Sequence, residues 1–345
     1  MDAGMGYWEF FAKETKTAGD CPLYQRFAEG VIGDPELQAL AGNVRSGQPP
    51  ANVLFAAVHF LLLRGADHPL RRHYPNLNGA VRREEGDPFP LLQDFCAQYR
   101  DRLMALIVSR VTNTNEVGRS AVLNAGFRAV AGEAGEPLHL IEIGPSAGLN
   151  LIWDRYRVRY LRDGAALATD TPEAKLTLDT QLRGEGIPPL GPAPRVASRV
   201  GLERNRVDLA NADDRDWLRA LVWPDQVARF ARLEAALDVY KDVRPEIRAG
   251  NALDLLPEAL AEVPASETAC VYHSYVTYQF SADMRAALDD TLIAASLRRP
   301  VWRLRYEGMM NNENFLTLRV YRDGTKEDRT LARAHPHGAW IEWLA

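Results

Sequence analysis

The sequence is poor in cysteine, in long apolar runs and in net charge, and each shortage excludes a class of protein. Cys21, Cys96 and Cys270 are odd in number and far apart, which argues against a disulfide framework or a cysteine-based metal site. The longest apolar run extends from Val53 to Leu63 and contains His59, so it is shorter than the ~20 residues that cross a bilayer. The acidic start of the chain is unlike a signal peptide. We therefore expect a cytoplasmic protein without a membrane span.

Composition and charge are those of an ordinary globular protein. The 345 residues are 46% hydrophobic and 25% charged, a length that allows one large domain or two ordinary ones. The net charge of −5 provides no basic face for nucleic acid. We expect a small-molecule substrate and neither a nucleic-acid nor a membrane partner, whereas the oligomeric state is left open.

The stretch from Leu138 to Leu151, LHLIEIGPSAGLNL, combines an apolar run, a turn of small residues and an expected helix start. The apolar residues around Ile141 are typical of a strand buried on both faces of a parallel sheet. Glu142 interrupts this run near the carboxyl end of the strand, where open α/β sheets bind their ligands. The small residues of Gly144–Gly148 then allow close approach of the backbone, and amides of the next helix would point at a ligand.

Two functional interpretations of this stretch compete with a plain strand-to-helix turn that binds nothing. Glu142-x-Gly144-x-x-x-Gly148 resembles the first motif of class I S-adenosylmethionine-dependent methyltransferases. Gly144-Pro-Ser146-Ala-Gly148 also matches Gly-x-Ser-x-Gly, the nucleophile elbow of α/β-hydrolases. The hydrolase would require an acid such as Asp254 and then a histidine, but no His-Gly-Gly-type oxyanion segment precedes the motif.

Residues 1–135 show helical periodicity and little strand signal. The run 53–63 is apolar all round and predicts a buried helix, in which His59 is a hydrogen-bonded core residue. Apolar spacing over 92–106 predicts one amphipathic helix. The polar stretch 67–90 predicts a loop, either over the mouth of a site or simply solvated.

A further helix is predicted to begin within 111–116, where Asn113 and Glu116 have capping-box spacing. Capping does not account for Asn115 or Arg119. Because this helix leads into the 138–143 strand, Glu116 and Arg119 are candidates either for ligand binding or for a structural ion pair.

After the glycine-rich turn, residues 149–156 predict a short helix. Residues 156–161 and 175–182 alternate with period two, which predicts antiparallel strands. They lie in a β-rich insertion at about 152–196.

A second parallel strand is predicted over 196–202, directly before Glu203. An acid in this position can bind the ribose hydroxyls of a nucleotide. Asp163 is the alternative, because it lies nearer the usual separation of about 20 residues from the glycine turn. The third strand leads into Gly250-Asn251-Ala252, which resembles the methyltransferase position that recognises the adenine amino group. Asn251 would either accept that hydrogen bond or cap a helix.

The fourth strand ends at His273-Ser274-Tyr275. A histidine there could transfer a proton at neutral pH, or it could only hydrogen-bond the loop. Strands over 301–307, 315–322 and 329–334 follow, the last two joined as a hairpin. His335 and His337 are weak metal candidates, because no cysteine or carboxylate accompanies them.

The motifs together look like those of an uncharacterised, largely bacterial family catalogued as a domain of unknown function. This resemblance implies a Rossmann-like α/β fold of the class I methyltransferase type: a mostly parallel seven-stranded sheet with a C-terminal antiparallel hairpin, over residues 136–345, preceded by a helical region over 1–135 that covers the site. The middle residue of the loop, Ser146, and the long insertion depart from the usual methyltransferase pattern. The matching segments are Thr114–Arg119, Glu142–Asn150, Arg199–Leu202, Trp217–Pro224, Asp254–Pro257, His273–Ser274 and Ala334–Gly338.

The sequence hypothesis is a methyltransferase that uses S-adenosylmethionine on a small or medium-sized acceptor. The alternatives are an esterase that uses Ser146 and a non-catalytic nucleotide-binding protein of methyltransferase fold. The catalytic candidates are His273 and Tyr275, and no metal is expected. The cofactor-binding candidates are Glu116, Arg119, Glu142, Gly144, Pro145, Ser146, Ala147, Gly148, Asn150, Glu203, Asn251 and Ala252.

Overall fold

The computed structural model describes residues 6–17, 20–78, 85–169, 171, 173–308 and 314–345. The chain forms two compact units, one from residues 1–114 and 207–233 and the other from residues 115–206 and 234–345. The predicted loop over 67–90 lies partly outside the described residues, at 79–84.

Twelve α-helices occur within these ranges. They are α1 (Tyr7–Thr17), α2 (Pro22–Ile32), α3 (Pro35–Ala41), α4 (Pro50–Leu63), α5 (Pro75–Asn78), α6 (Phe89–Gln98), α7 (Arg100–Ser109), α8 (Arg119–Ala134), α9 (Ala212–Ala220), α10 (Val227–Tyr240), α11 (Ala252–Ala261) and α12 (Ala282–Ser296).

The described strands form one mixed sheet. They are β1 (Leu138–Ile143), β2 (Tyr156–Arg162), β3 (Ala165–Ala168), β4 (Leu176–Arg183), β5 (Val196–Glu203), β6 (Glu246–Ala249), β7 (Thr268–Ser274), β8 (Val301–Gly308), β9 (Asn314–Arg322), β10 (Thr325–Ala334) and β11 (Trp340–Trp343). Their spatial order is β3-β2-β4-β11-β10-β9-β8-β7-β1-β5-β6.

The part of the sheet that positions the candidate site is a block of five parallel strands, β6-β5-β1-β7-β8. All six residues of β1 and all seven of β7 are buried, as expected for strands covered on both faces. On one face Ile141, Ile143 and Val271 pack with Leu256 of α11 and Leu288 of α12. Since these strands are parallel, their carboxyl ends lie along the same edge.

The observed sheet is wider than predicted. The described strands number eleven rather than seven, because β11 adds one strand and β2, β3 and β4 join the same sheet through a parallel pairing of β4 with β11. The predicted antiparallel pairing of β2 with β4 is wrong, since these strands are parallel and β3 is the antiparallel partner of β2. The alternating burial in β4 is typical of a strand. Whether β4 runs parallel or antiparallel to β2 depends on the path of the chain between them, which this pattern does not show.

The C-terminal strands follow the prediction closely. β9 and β10 form the predicted hairpin, with Asp323 and Gly324 both at positive φ in its turn. β9 is also antiparallel to β8, so the parallel block ends at β8.

Three predicted helices differ from those observed. The helix expected over 92–106 is divided at Tyr99 into α6 and α7. The helix expected from 111–116 begins only at Arg119, and Glu116 Oε1 accepts a hydrogen bond from the Gly118 amide at 2.9 Å just before it. The helix expected over 149–156 is a series of turns and a 3-10 turn.

In the first unit, α4 is buried around most of its circumference, as predicted. His59 is fully buried, and its ring binds the Ala220 carbonyl at 3.0 Å and the Asn76 amide at 2.9 Å. Burial lowers the pKa of His59 to about 4, which confirms its interpretation as a neutral, hydrogen-bonded core histidine. The described helices include none with the length and apolar character needed to cross a membrane.

Candidate functional site

The candidate site lies where β1, β5 and β7 end, within the second compact unit. Glu142 is near the end of β1, Glu203 is the last residue of β5 and Ser274 is the last residue of β7. The edge formed by the carboxyl ends of parallel strands is where open α/β sheets bind ligands, so we call these residues and the loop 144–150 the carboxyl-edge site.

The loop after β1 turns sharply through three residues with left-handed backbone angles. Gly144, Ser146 and Gly148 have φ values of 67°, 55° and 80°. A Cβ atom on Gly144 would lie 2.7 Å from Cγ2 of Val276, so glycine is required there by packing as well as by backbone geometry. The conformation of this loop is therefore fixed both by its backbone angles and by packing.

Glu203 holds this loop in place. Its Oε2 accepts a hydrogen bond from the Ser146 amide and its Oε1 accepts one from the Asn205 amide, each at 2.8 Å. The side chain is buried, and charge-assisted bonds from backbone amides are the usual way to stabilise a buried carboxylate. The acid that the sequence assigned to the ribose thus lies directly against the glycine loop.

The rival acid, Asp163, lies in the turn between β2 and β3. The order of strands places that hairpin at the opposite end of the sheet from β5 and β6. This position favours Glu203 over Asp163 as a ligand-binding acid at the carboxyl edge.

Glu142 is almost completely buried and its carboxylate accepts a hydrogen bond of 2.9 Å from the Tyr272 hydroxyl. Burial raises the pKa of Glu142 to about 8. The Tyr272 hydrogen bond and the charge of Arg119 oppose this rise, whereas the charge of Glu203 adds to it. Glu142 is therefore mostly protonated at neutral pH, and a nearby cation would favour its charged form.

Polar residues just before α8 and in its first turn hold the second half of the loop in place. Asn115 Oδ1 accepts a hydrogen bond from the Leu149 amide at 2.9 Å. Asn150 Oδ1 accepts one from the Ser120 hydroxyl at 2.7 Å. This explains Asn115, which capping alone could not, and it brings the 114–119 motif to the glycine loop.

Arg119 links the loop motif to the end of β7. Its guanidinium lies 4.1 Å from the ring centre of Tyr275, and its Nε donates to the Pro336 carbonyl at 2.9 Å. Tyr275 has a φ of 57° and its hydroxyl donates to Asn314 Oδ1. A bulky residue in this backbone region is uncommon and is often found at functional sites.

His273 is fully buried, and both ring nitrogens have partners. Nδ1 lies 2.7 Å from Glu307 Oε1, and Nε2 lies 3.0 Å from Arg303 Nη2. Burial lowers the pKa of His273 to about 4. Glu307 also accepts hydrogen bonds from the Val276 and Thr277 amides, so this geometry argues for His273 as a positioning residue of the loop and against a base in contact with an acceptor.

Asn251 is exposed, and its side chain accepts a hydrogen bond from the Leu253 amide as the N-cap of α11. The neighbouring Gly250 amide donates to the Glu203 carbonyl at 3.0 Å. Ala252 is the buried first residue of the helix. The capping interpretation is confirmed, and the position beside Glu203 remains compatible with adenine recognition.

Replacement of Asn251 by Ala is expected to reduce the free energy of unfolding by about 1 kcal/mol, since the N-cap acceptor is lost. Asn251→Asp, which retains an acceptor, should stay close to the wild type. Urea unfolding of both variants measures the difference. Equal stability of Asn251→Ala and the wild type would show that this cap contributes little.

Several residues of the site were not singled out from the sequence. Tyr272, Asn205 and Glu307 bind Glu142, Glu203 and His273, respectively. Tyr272 lies in the buried strand β7, in which successive side chains point to opposite faces of the sheet. This alternation could have indicated that Tyr272 is on the face of β7 that meets Glu142. The partners of Glu307 are distant in sequence, and local patterns carry no signal for them.

A family model described as "Uncharacterized protein conserved in bacteria (DUF2332)" matches residues 9–343, so the chain belongs to that family. No curated protein and no solved structure matches the chain.

Proposed function

We propose that this DUF2332 protein is an S-adenosylmethionine-dependent methyltransferase for a small or medium-sized acceptor, and that its five parallel strands are the centre of a Rossmann-like core. The observation that carries the proposal is a pair of buried carboxylates, Glu142 and Glu203, at the ends of neighbouring parallel strands beside the 144–148 loop.

The chemistry of these residues fits the cofactor. S-adenosylmethionine carries an ammonium and a sulfonium charge, and two buried carboxylates favour a cation. Burial and the charge of Glu203 raise the pKa of Glu142, and a cationic ligand beside both side chains would favour the ionised form of Glu142. An ionised carboxylate accepts hydrogen bonds, as ribose hydroxyls would require, and the Ser146 and Asn205 amides hold the Glu203 side chain beside the loop.

In this proposal the bound cofactor supplies an electrophilic methyl group, and the protein supplies position and electrostatics. Glu142 and the 144–148 loop bind the methionyl part, Glu203 binds the ribose and Asn251 lies toward the adenine. Arg119 and Tyr275 lie together at the end of β7 and would orient the acceptor for in-line attack. Holding two reactants in line is itself a large part of such catalysis.

One observation favours a second candidate, an esterase that uses Ser146. Its φ of 55° is the kind of strained turn found in a nucleophile elbow. However, an elbow leads directly into a helix, whereas residues 144–152 form turns. Ser146 is also only 2% exposed, so we rank this candidate below the methyltransferase.

The proposal is tested by calorimetry of the purified protein with S-adenosylhomocysteine, followed by turnover with labelled cofactor and a panel of small acceptors. We expect saturable binding of one ligand per chain. Binding without turnover would favour a non-catalytic nucleotide-binding protein. Absence of binding, together with fluorophosphonate labelling that Ser146→Ala abolishes, would favour the esterase.

A further inference from the structure

A second group of reactive side chains lies at the opposite edge of the parallel block, where the strands begin. Ser198 Oγ lies 2.7 Å from Nδ1 of His139, and Nε2 of the same ring is hydrogen-bonded to Glu267 Oε2. Ser198 is in β5, His139 is in β1, and Glu267 directly precedes β7. From this continuous chain of hydrogen bonds we propose that Ser198, His139 and Glu267 form a serine–histidine–glutamate site that reacts with carboxylic esters, separate from the carboxyl-edge site.

The strand pairing explains how this arrangement is built. β1 lies between β5 and β7, so three neighbouring strand starts bring the three side chains together. His139 and Ser198 are direct partners in the β1–β5 register, which shifts between Leu138 and His139 so that Ala197 is passed over. Such a bulge redirects side chains and is frequent beside active sites.

The three side chains have the exposure that the chemistry requires. Ser198 is exposed, His139 is only 7% exposed, and the side chain of Glu267 is partly exposed. The nucleophile is thus open to a substrate, while the base is held in one orientation. A base within hydrogen-bond reach of the nucleophile and oriented by a third group is the general signature of an activated serine.

The two hydrogen bonds of His139 indicate which of its ring nitrogens carries the proton. Glu267 is an acceptor when ionised, so Nε2 of His139 carries the proton that it donates to Glu267. The lone pair of Nδ1 then faces the Ser198 hydroxyl and can take its proton.

The proposed reaction is hydrolysis of an ester with a good leaving group. Ser198 Oγ forms a bond to the carbonyl carbon while its proton passes to His139 Nδ1. The carbon–oxygen bond to the leaving alcohol breaks, and the alcohol takes the proton from His139. Water then adds to the acyl carbon as His139 accepts its proton, the bond to Ser198 Oγ breaks, and Oγ recovers the proton as the carboxylic acid leaves.

The test is covalent labelling with a fluorophosphonate probe, in which Ser198 Oγ displaces fluoride from phosphorus. We expect stoichiometric labelling of the wild type, with the probe on the peptide that contains Ser198. Ser198→Ala should lose the label, whereas the matched variant Ser146→Ala should keep it. Binding of S-adenosylhomocysteine should be unchanged in Ser198→Ala, which would show that the variant is folded and that the two sites are independent.

Glu267 acts through His139 as a positioning residue, and a conservative exchange distinguishes this role from a purely structural one. Glu267→Gln should slow labelling and the hydrolysis of p-nitrophenyl acetate by about tenfold or more, while Glu267→Asp should retain most of the rate. Labelling that persists in Ser198→Ala, or a wild type that takes no label, would overturn the proposal.

Discussion

Glu203→Ala is expected to weaken binding of S-adenosylhomocysteine by about ten- to a hundredfold, equivalent to roughly 1.5–3 kcal/mol. The variant loses a charged acceptor for two ribose hydroxyls. It also loses the carboxylate that binds the Ser146 and Asn205 amides, so the loop that should contact the methionyl part is released. Calorimetric titration of variant and wild type measures the change in affinity.

Two further variants separate the contributions of Glu203. Glu203→Gln keeps acceptor capacity for a loop amide but removes the charge, so an intermediate affinity is expected. Asp163→Ala serves as the comparison, because its turn lies at the other end of the sheet and should leave the affinity unchanged. The reverse result, a loss with Asp163→Ala and none with Glu203→Ala, would show that the ribose is bound elsewhere.

Glu142→Gln is expected to raise the free energy of unfolding at pH 8 and to flatten its dependence on pH. Burial raises the pKa of Glu142 from 4.5 to about 8 in the folded protein, so the folded state favours the neutral carboxyl group. Its contribution to stability is therefore complete below pH 4.5 and is lost as the pH rises toward 8. Gln is neutral throughout and can still accept a hydrogen bond from Tyr272.

The size of this effect is large for one side chain. At 1.36 kcal/mol per pKa unit, the raised pKa corresponds to an upper bound of about 5 kcal/mol lost by the wild type over this range. Urea unfolding of both proteins at pH 5 and pH 8 measures the difference. Parallel stability profiles for wild type and variant would contradict a protonated Glu142.

Glu142→Gln also tests whether a cationic ligand binds beside an ionised Glu142. If the cofactor binds beside an ionised Glu142, its uptake at neutral pH releases a proton from the wild type. Calorimetry in buffers of different ionisation enthalpy detects this release, which Glu142→Gln should not show. Because the stability profile requires no ligand, its outcome is independent of the proposed function.

The sequence predicted those helices, strands and turns that are determined by the types of residues next to one another in the chain. The largely apolar helix α4, the strand β1 and the β9–β10 hairpin each follow from local composition or turn residues. The positions of Glu142 and Glu203 at strand ends follow for the same reason, since the end of an apolar run marks the end of a buried strand. The grouping of these acids at one edge then required only that the strands be parallel.

The tertiary structure decided what depends on residues that are distant in the chain. Periodicity continues across Tyr99, so it did not reveal the break between α6 and α7. Strand alternation is identical in parallel and antiparallel pairs, so it did not determine how β2 and β4 pair. His273 was correctly placed at a strand end, but its hydrogen-bond partners, Glu307 and Arg303, come from β8.

The His139–Ser198–Glu267 group shows this distinction most clearly. The three residues are far apart in the sequence, and they are brought together because β5, β1 and β7 are neighbours with a register shift after Leu138. The sequence by itself determined where most strands, the hairpin turn and the charged strand ends occur, because these depend on neighbouring residues. Only the tertiary structure decided which side chains meet, because strand order and register are properties of the whole sheet.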